Sequence, residues 1–192
     1  MNDKKRLEVI ECSILIERAV ATTLASLLDI DIDESKTLGN KSSSFSFKQK
    51  LDLLTDIKVL DKSAIKKFQI FTEIRNQFAH NFDVNDFSSC FAMLDGAEKF
   101  LRKNYSLDSS EASTHEEELS KVYSFLFSDI LSNTAVIINR VEKRYLRLLN
   151  EKEKAKVPGE IIYMLDEYIS VNKRSAKKLK TLIIDIKKKF EL

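Results

Sequence analysis

A chain of 192 residues with three glycines and one proline has almost nothing with which to turn. Together these residues make up about 2% of the sequence, against roughly 12% in average usage. Sandwiches and barrels need a breaker every few residues, so the scarcity argues for long helices. The length suits one domain or two small ones and is enough to bury a substantial core. Apolar residues at 43% and charged residues at 32% fit a soluble globular protein better than a disordered one.

Charge excludes little, because 32 basic and 30 acidic residues leave a net charge of only +2. Nucleic-acid contact would have to come from a local patch. Cys12 and Cys90 make no disulfide framework and no Cys-x-x-Cys motif, which fits a reducing compartment. Behind Lys4-Lys5-Arg6 lies an amphipathic pattern with Glu8, Glu11 and Glu17, not the apolar core of a signal. No run approaches the roughly 18 apolar residues of a membrane span, so a cytoplasmic protein with no membrane partner is expected. Histidine occurs only at His80 and His115. A mechanism that needs an imidazole near neutral pH must use one of them or borrow one from another chain.

Periodicity predicts an all-α bundle of about seven helices. Leu7, Ile10, Ile14, Ala21, Leu24 and Leu28 mark the first helix, with Glu17 standing where the stripe asks for a hydrophobe. Either the stripe is wide enough to leave Glu17 at its margin, or the carboxylate is buried with a partner. Residues 31–46 read as a loop around Gly39. Helices are expected over 47–60, over 62–80 behind a cap at Asp61 or Ser63, and over 87–105. The expected domain organisation is a helical domain over 1–104, a polar linker over 105–118, and a C-terminal helical extension over 119–192 that packs on it. That extension opens with a long helix, bent near Ser132-Asn133-Thr134 and ended by Pro158-Gly159. Shorter helices over 160–170 and 173–190 follow.

The stretch Thr72-Glu73-Ile74-Arg75-Asn76-Gln77-Phe78-Ala79-His80-Asn81 carries the chemistry. Arg75 lies four residues after Phe71 and three before Phe78, so a permanent charge sits on an apolar stripe. Glu17 is the natural partner, and a Glu17–Arg75 pair at a helix interface is expected, against an ordinary snorkelling arginine and a marginal glutamate. Asn76 and His80 share one helix face, whereas Arg75 and His80 differ by about 140°. Either the helix unwinds at His80, or two copies of the chain pool their residues across a symmetric interface. A lone histidine at a helix end also has a common structural role, packing or capping the end.

Arg75-Asn76 followed by three residues and His80 resembles the Arg-polar-x-x-x-His signature of the HEPN superfamily. These are small helical-bundle proteins, often dimeric, and many are metal-independent ribonucleases of toxin–antitoxin, CRISPR and phage-defence systems. Glu17-Arg18-Ala19, Leu38-Gly39, Ser44-Phe45-Ser46-Phe47-Lys48-Gln49-Lys50-Leu51 and Ile74 to His80 are also similar to the mannitol operon repressor (MltR-like) family. The resemblance covers about residues 7–100 and stops at the linker. In the ribonuclease reading, it implies that His80 handles the 2′-hydroxyl or leaving-group proton. Arg75 would stabilise charge on the scissile phosphate, and Asn76 would orient the substrate. RNA supplies its own nucleophile in that scheme, so no metal or other cofactor is expected, and no metal-ligand spacing occurs. The alternative is a non-catalytic MltR-like transcriptional regulator or protein-interaction module. There Arg75 closes a buried pair and His80 caps a helix end. The expected partners are a second copy, RNA, and an antitoxin or regulator protein.

Lys173–Leu192 holds eight basic and two acidic residues. Lys173, Arg174, Lys177 and Lys178 either track RNA phosphates or form the solvated face of a terminal helix. His115, in an acidic serine-rich stretch, reads as a surface residue.

Overall fold

Straight-chain and aliphatic residues without breakers carry the first helix for 26 residues, α1 (Asp3–Leu28). The computed structural model describes residues 3–39, 43–105 and 114–155, and among these it is all-helical. After α1 come α2 (Phe47–Asp56), α3 (Lys62–His80), α4 (Phe87–Ala92), α5 (Ala97–Asn104) and α6 (His115–Ala155). The helices expected over 160–170 and 173–190 lie outside the described residues, as do Lys173, Arg174, Lys177 and Lys178.

Local chemistry sets the helix starts. Ser46 and Gln49 form a capping box at α2, with Ser46 N donating to Gln49 Oε1 at 2.8 Å. Asp61 Oδ1 accepts the Ala64 amide at 2.7 Å at the head of α3. Asp86 accepts the Ser89 amide at 2.8 Å at the head of α4. The single helix expected over 87–105 is two, because Gly96 adopts φ +69°, a left-handed conformation that only glycine takes cheaply. In the loop before α2, Gly39 is required by proximity, since a Cβ there would lie 2.8 Å from the Ser35 carbonyl oxygen.

Two expectations about α1 and α6 are corrected. The buried stripe of α1 runs through Val9, Cys12, Ile16, Ala19, Val20 and Leu24, while Leu7 and Ile14 are 59% and 60% exposed. α6 begins at His115, inside the stretch expected to be linker, and stays helical through Ser132-Asn133-Thr134. Glu116, Glu117 and Glu118 fill its first turn, where carboxylates favour the helix dipole.

The chain forms two compact units that do not follow a linear division at 104 and 119. One takes Met1–Ile16 with Leu60–Ile130, and the other takes Glu17–Val59 with the chain from Leu131. The core of the first is aromatic: Phe71 stacks on Tyr123 at 5.9 Å, and Phe87 meets Tyr123 at 4.9 Å and Phe78 at 5.4 Å. Its cysteines are buried, and burial first, then Glu116 and Asp86, pushes the Cys90 thiol up to about 12. In the second unit, Leu24, Leu38 and Leu54 are buried.

Within His115–Val141 of α6, an 18-residue window with a mean hydropathy of 1.2 is long and apolar enough to cross a membrane, and half of that window is buried inside the protein. No unbroken apolar run marks it in the sequence, because serines, Thr134, Asp129 and Asn133 interrupt it. A core helix of a soluble protein has the same properties.

Candidate functional site

α3 places the motif. Ala64, Phe68, Ile70, Phe71, Ile74 and Phe78 turn inward, and the remaining positions are half-buried or exposed. Asn76 and His80 are exposed on the outer face, and Arg75 is half-buried at the margin. The helix persists through His80 and ends at Asn81, whose amide donates to the Gln77 carbonyl at 3.0 Å. It therefore does not unwind at His80. Arg75 and His80 of one copy stay about 140° apart around the axis.

The expected Glu17–Arg75 pair is replaced by other partners. Lys50 Nζ donates to Glu17 Oε1 at 3.0 Å, and Lys50 is the buried charge of that pair, with 3% of its side chain exposed against 44% for Glu17. Glu17 lies beside Ile16 and Val20 at the edge of a wide stripe, as the alternative reading had it. The Arg75 guanidinium donates to Asn76 Oδ1 at 3.1 Å. Ile74 supplies the apolar contact at that turn, so Arg75 reaches outward and needs no buried carboxylate. Lys50 was legible, since it stands four residues before the buried Leu54 on the same helix face.

His80 opens onto a shallow depression of about 620 Å³ lined by Asn76, Gln77, His80, Asn81, Phe82 and Asp83. Arg75 is not among its lining residues. Among the described residues, His80 has no hydrogen-bond partner; it is the basic residue of the last turn of α3, and Asn81 is the C-cap residue.

Arg6, which sequence reasoning did not single out, fixes the far wall. Its guanidinium donates to the Phe78 carbonyl, to the Asn81 carbonyl at 3.2 Å and to the Val84 carbonyl at 3.0 Å. These bonds satisfy acceptors that the end of a helix leaves open. Nothing in the local pattern of α1 signals this, because the partners lie more than 70 residues away in sequence. Lys5 pairs with Glu116, which also accepts the Phe87 and Ser88 amides at 3.0 and 2.8 Å. Burial would raise the Glu116 carboxyl, but the hydrogen bonds from Lys5, Phe87 and Ser88 outweigh it and hold the group below its ordinary range.

His115 does not stand alone. It sits 3.9 Å from Glu98 and 3.4 Å from Arg102, which also pairs with Glu98 and Glu118. Among the described residues, no group of three His, Cys, Asp or Glu is placed to hold a metal ion. No protein-family model, no curated protein and no solved structure matches the chain.

Proposed function

We propose that the chain is a HEPN-like endoribonuclease that works without a metal ion or other cofactor, as a cytoplasmic homodimer in a toxin–antitoxin or phage-defence system. One observation carries the reading: Asn76 and His80 are exposed side by side on α3, next to an open depression, and neither is engaged in holding the fold together. The regulator alternative asks Arg75 to close a buried pair and His80 to cap a helix. The pairing of Glu17 with Lys50 and not with Arg75 supports the ribonuclease reading over that alternative.

In the proposed reaction the RNA 2′-oxygen attacks its own phosphorus and the bond to the 5′-oxygen breaks. The products are a 2′,3′-cyclic phosphate and a 5′-hydroxyl. His80 takes the 2′-hydroxyl proton or supplies one to the leaving oxygen. Arg75 stabilises the charge developing on the phosphate, and Asn76 helps to orient the substrate. Because α3 stays helical through His80, the geometry favours pooling: Arg75 of one copy meets His80 of the other across a two-fold axis.

The purified protein is expected to cut single-stranded RNA in excess EDTA, leaving 2′,3′-cyclic phosphate ends. His80→Ala is expected to abolish cutting with an unchanged melting temperature, as befits an exposed side chain. Full cutting by His80→Ala would remove His80 from the mechanism. A folded wild-type protein that never cuts RNA would return the motif to the regulator reading.

A further inference from the structure

Phe82 is 81% exposed, the largest exposure among the apolar side chains of the described residues. Its loop is nevertheless well tied down. Val84 N donates to the Asn81 carbonyl at 3.4 Å and Asp83 N to Asn81 Oδ1 at 3.0 Å, so residues 81–84 form a turn with an Asx bond inside it. Arg6 grips both ends of that turn through the Asn81 and Val84 carbonyls. Phe78 and Val84, on either side, are 0% exposed. The scaffold thus anchors its neighbours and presents the Phe82 ring to solvent beside His80.

The chemistry of the depression limits what can sit against that ring. The lining holds three carboxamides, one imidazole, one phenyl ring, one carboxylate at Asp83, and no cation. An anion seated at the Phe82–Asp83 end of the depression would meet that carboxylate with no lysine or arginine in the lining to balance it. A neutral planar group with polar edges fits instead. The Asn81 amide is already committed to Gln77 Oε1 and Met93 Sδ, at 3.3 and 3.1 Å. The Asn76 and Gln77 amide nitrogens have no partner among the described residues and can donate to such an edge.

We propose that Phe82 is the stacking platform for one unpaired nucleobase, seated beside His80, with Asn76 and Gln77 donating to the base edge. Resting on the ribonuclease reading for the polymer, this assigns the substrate as single-stranded, since paired bases in a duplex do not offer their faces. A phenyl ring stacks on every base and has no polar atom with which to choose, so sequence preference is expected to be weak.

The chain contains no tryptophan, so Phe82→Trp installs a sole indole reporter. A deoxyoligonucleotide, which lacks the 2′-hydroxyl and cannot be cut, is titrated against an abasic oligomer of equal length. The base-bearing strand is expected to quench the indole, and the abasic strand to leave it unchanged. Phe82→Ala and Phe82→Leu, both on an exposed side chain that leaves the core intact, are expected to weaken binding by about 5- to 150-fold. Wild-type affinity in Phe82→Leu with a silent indole would overturn the proposal in favour of an apolar protein partner. His80-dependent RNA cleavage at unchanged KM in Phe82→Leu would overturn it while leaving the ribonuclease reading intact. Quenching by bases without any RNA cleavage would uphold the base site and remove the ribonuclease reading.

Discussion

Two arginines in one unit have opposite duties. Arg75 reaches outward to Asn76, whereas Arg6 bonds the Phe78, Asn81 and Val84 carbonyls. Hydrogen bonds from a charged donor contribute about 1.5–3 kcal/mol, and the acceptors left behind lose their partner. Arg6→Ala is therefore expected to destabilise by about 2–3 kcal/mol, and Arg75→Ala by no more than about 1 kcal/mol. Urea denaturation of the two variants checks this, and equal midpoint shifts would show that Arg6 holds nothing. The sequence made Arg75 conspicuous because it interrupts an apolar stripe. It left Arg6 silent, because a helix end and its distant donor share no local pattern. Glu17 falls between these cases: it is a visible misfit on its own helix, but only the fold pairs it with Lys50.

At the scale of elements, α4 illustrates how a short helix is held. Its six residues cannot persist by propensity alone. Asp86 accepts the Ser89 amide, while Glu116 on α6 accepts those of Phe87 and Ser88. Glu116→Ala is expected to cost about 1.5–3 kcal/mol at pH 7. The pH dependence follows from the depressed carboxyl: its contribution is fully present above the ordinary value of 4.5 and is lost as pH falls through the lower folded value. Thermal melts of the two proteins should therefore draw together as the pH falls below 4.5, and a gap that stays constant throughout the acid range would rule this contribution out. Helix existence was legible from the missing breakers and from caps such as Asp61. The buried face of α1 was not, because Leu7 and Ile14 form a second apolar row beside Val9, Cys12 and Ile16, and spacing alone cannot rank two rows. Nor was the left-handed backbone at Gly96 read as a break, although it divides α4 from α5.

For the whole molecule, the all-helical class was legible, but the division into parts was not. α1 and α6 each contribute to both units, and no composition shift marks a boundary inside a helix. At this scale the proposed dimer makes a sharp prediction. If Arg75 and His80 act across a two-fold axis, a mixed dimer of Arg75→Ala and His80→Ala chains has one intact site out of two. Random mixing makes half of all dimers mixed, so activity should return to about a quarter of the wild-type level. Two inactive variants that stay inactive when unfolded and refolded together would exclude the shared site.

The clasp made by Arg6 also bears on how the protein is synthesised. Arg6 leaves the ribosome long before the Phe78, Asn81 and Val84 carbonyls it must hold, and Glu116 follows only after α4 is complete. Tyr123, which packs on Phe71 and Phe87, comes later still. Arg6 and the turn at 81–84 both lie within the first 104 residues, but a nascent chain that stalls there lacks Glu116 and Tyr123, which hold the head of α4 and complete the aromatic core behind the motif. The aromatic core of this unit therefore closes only after the first turns of α6 have been made.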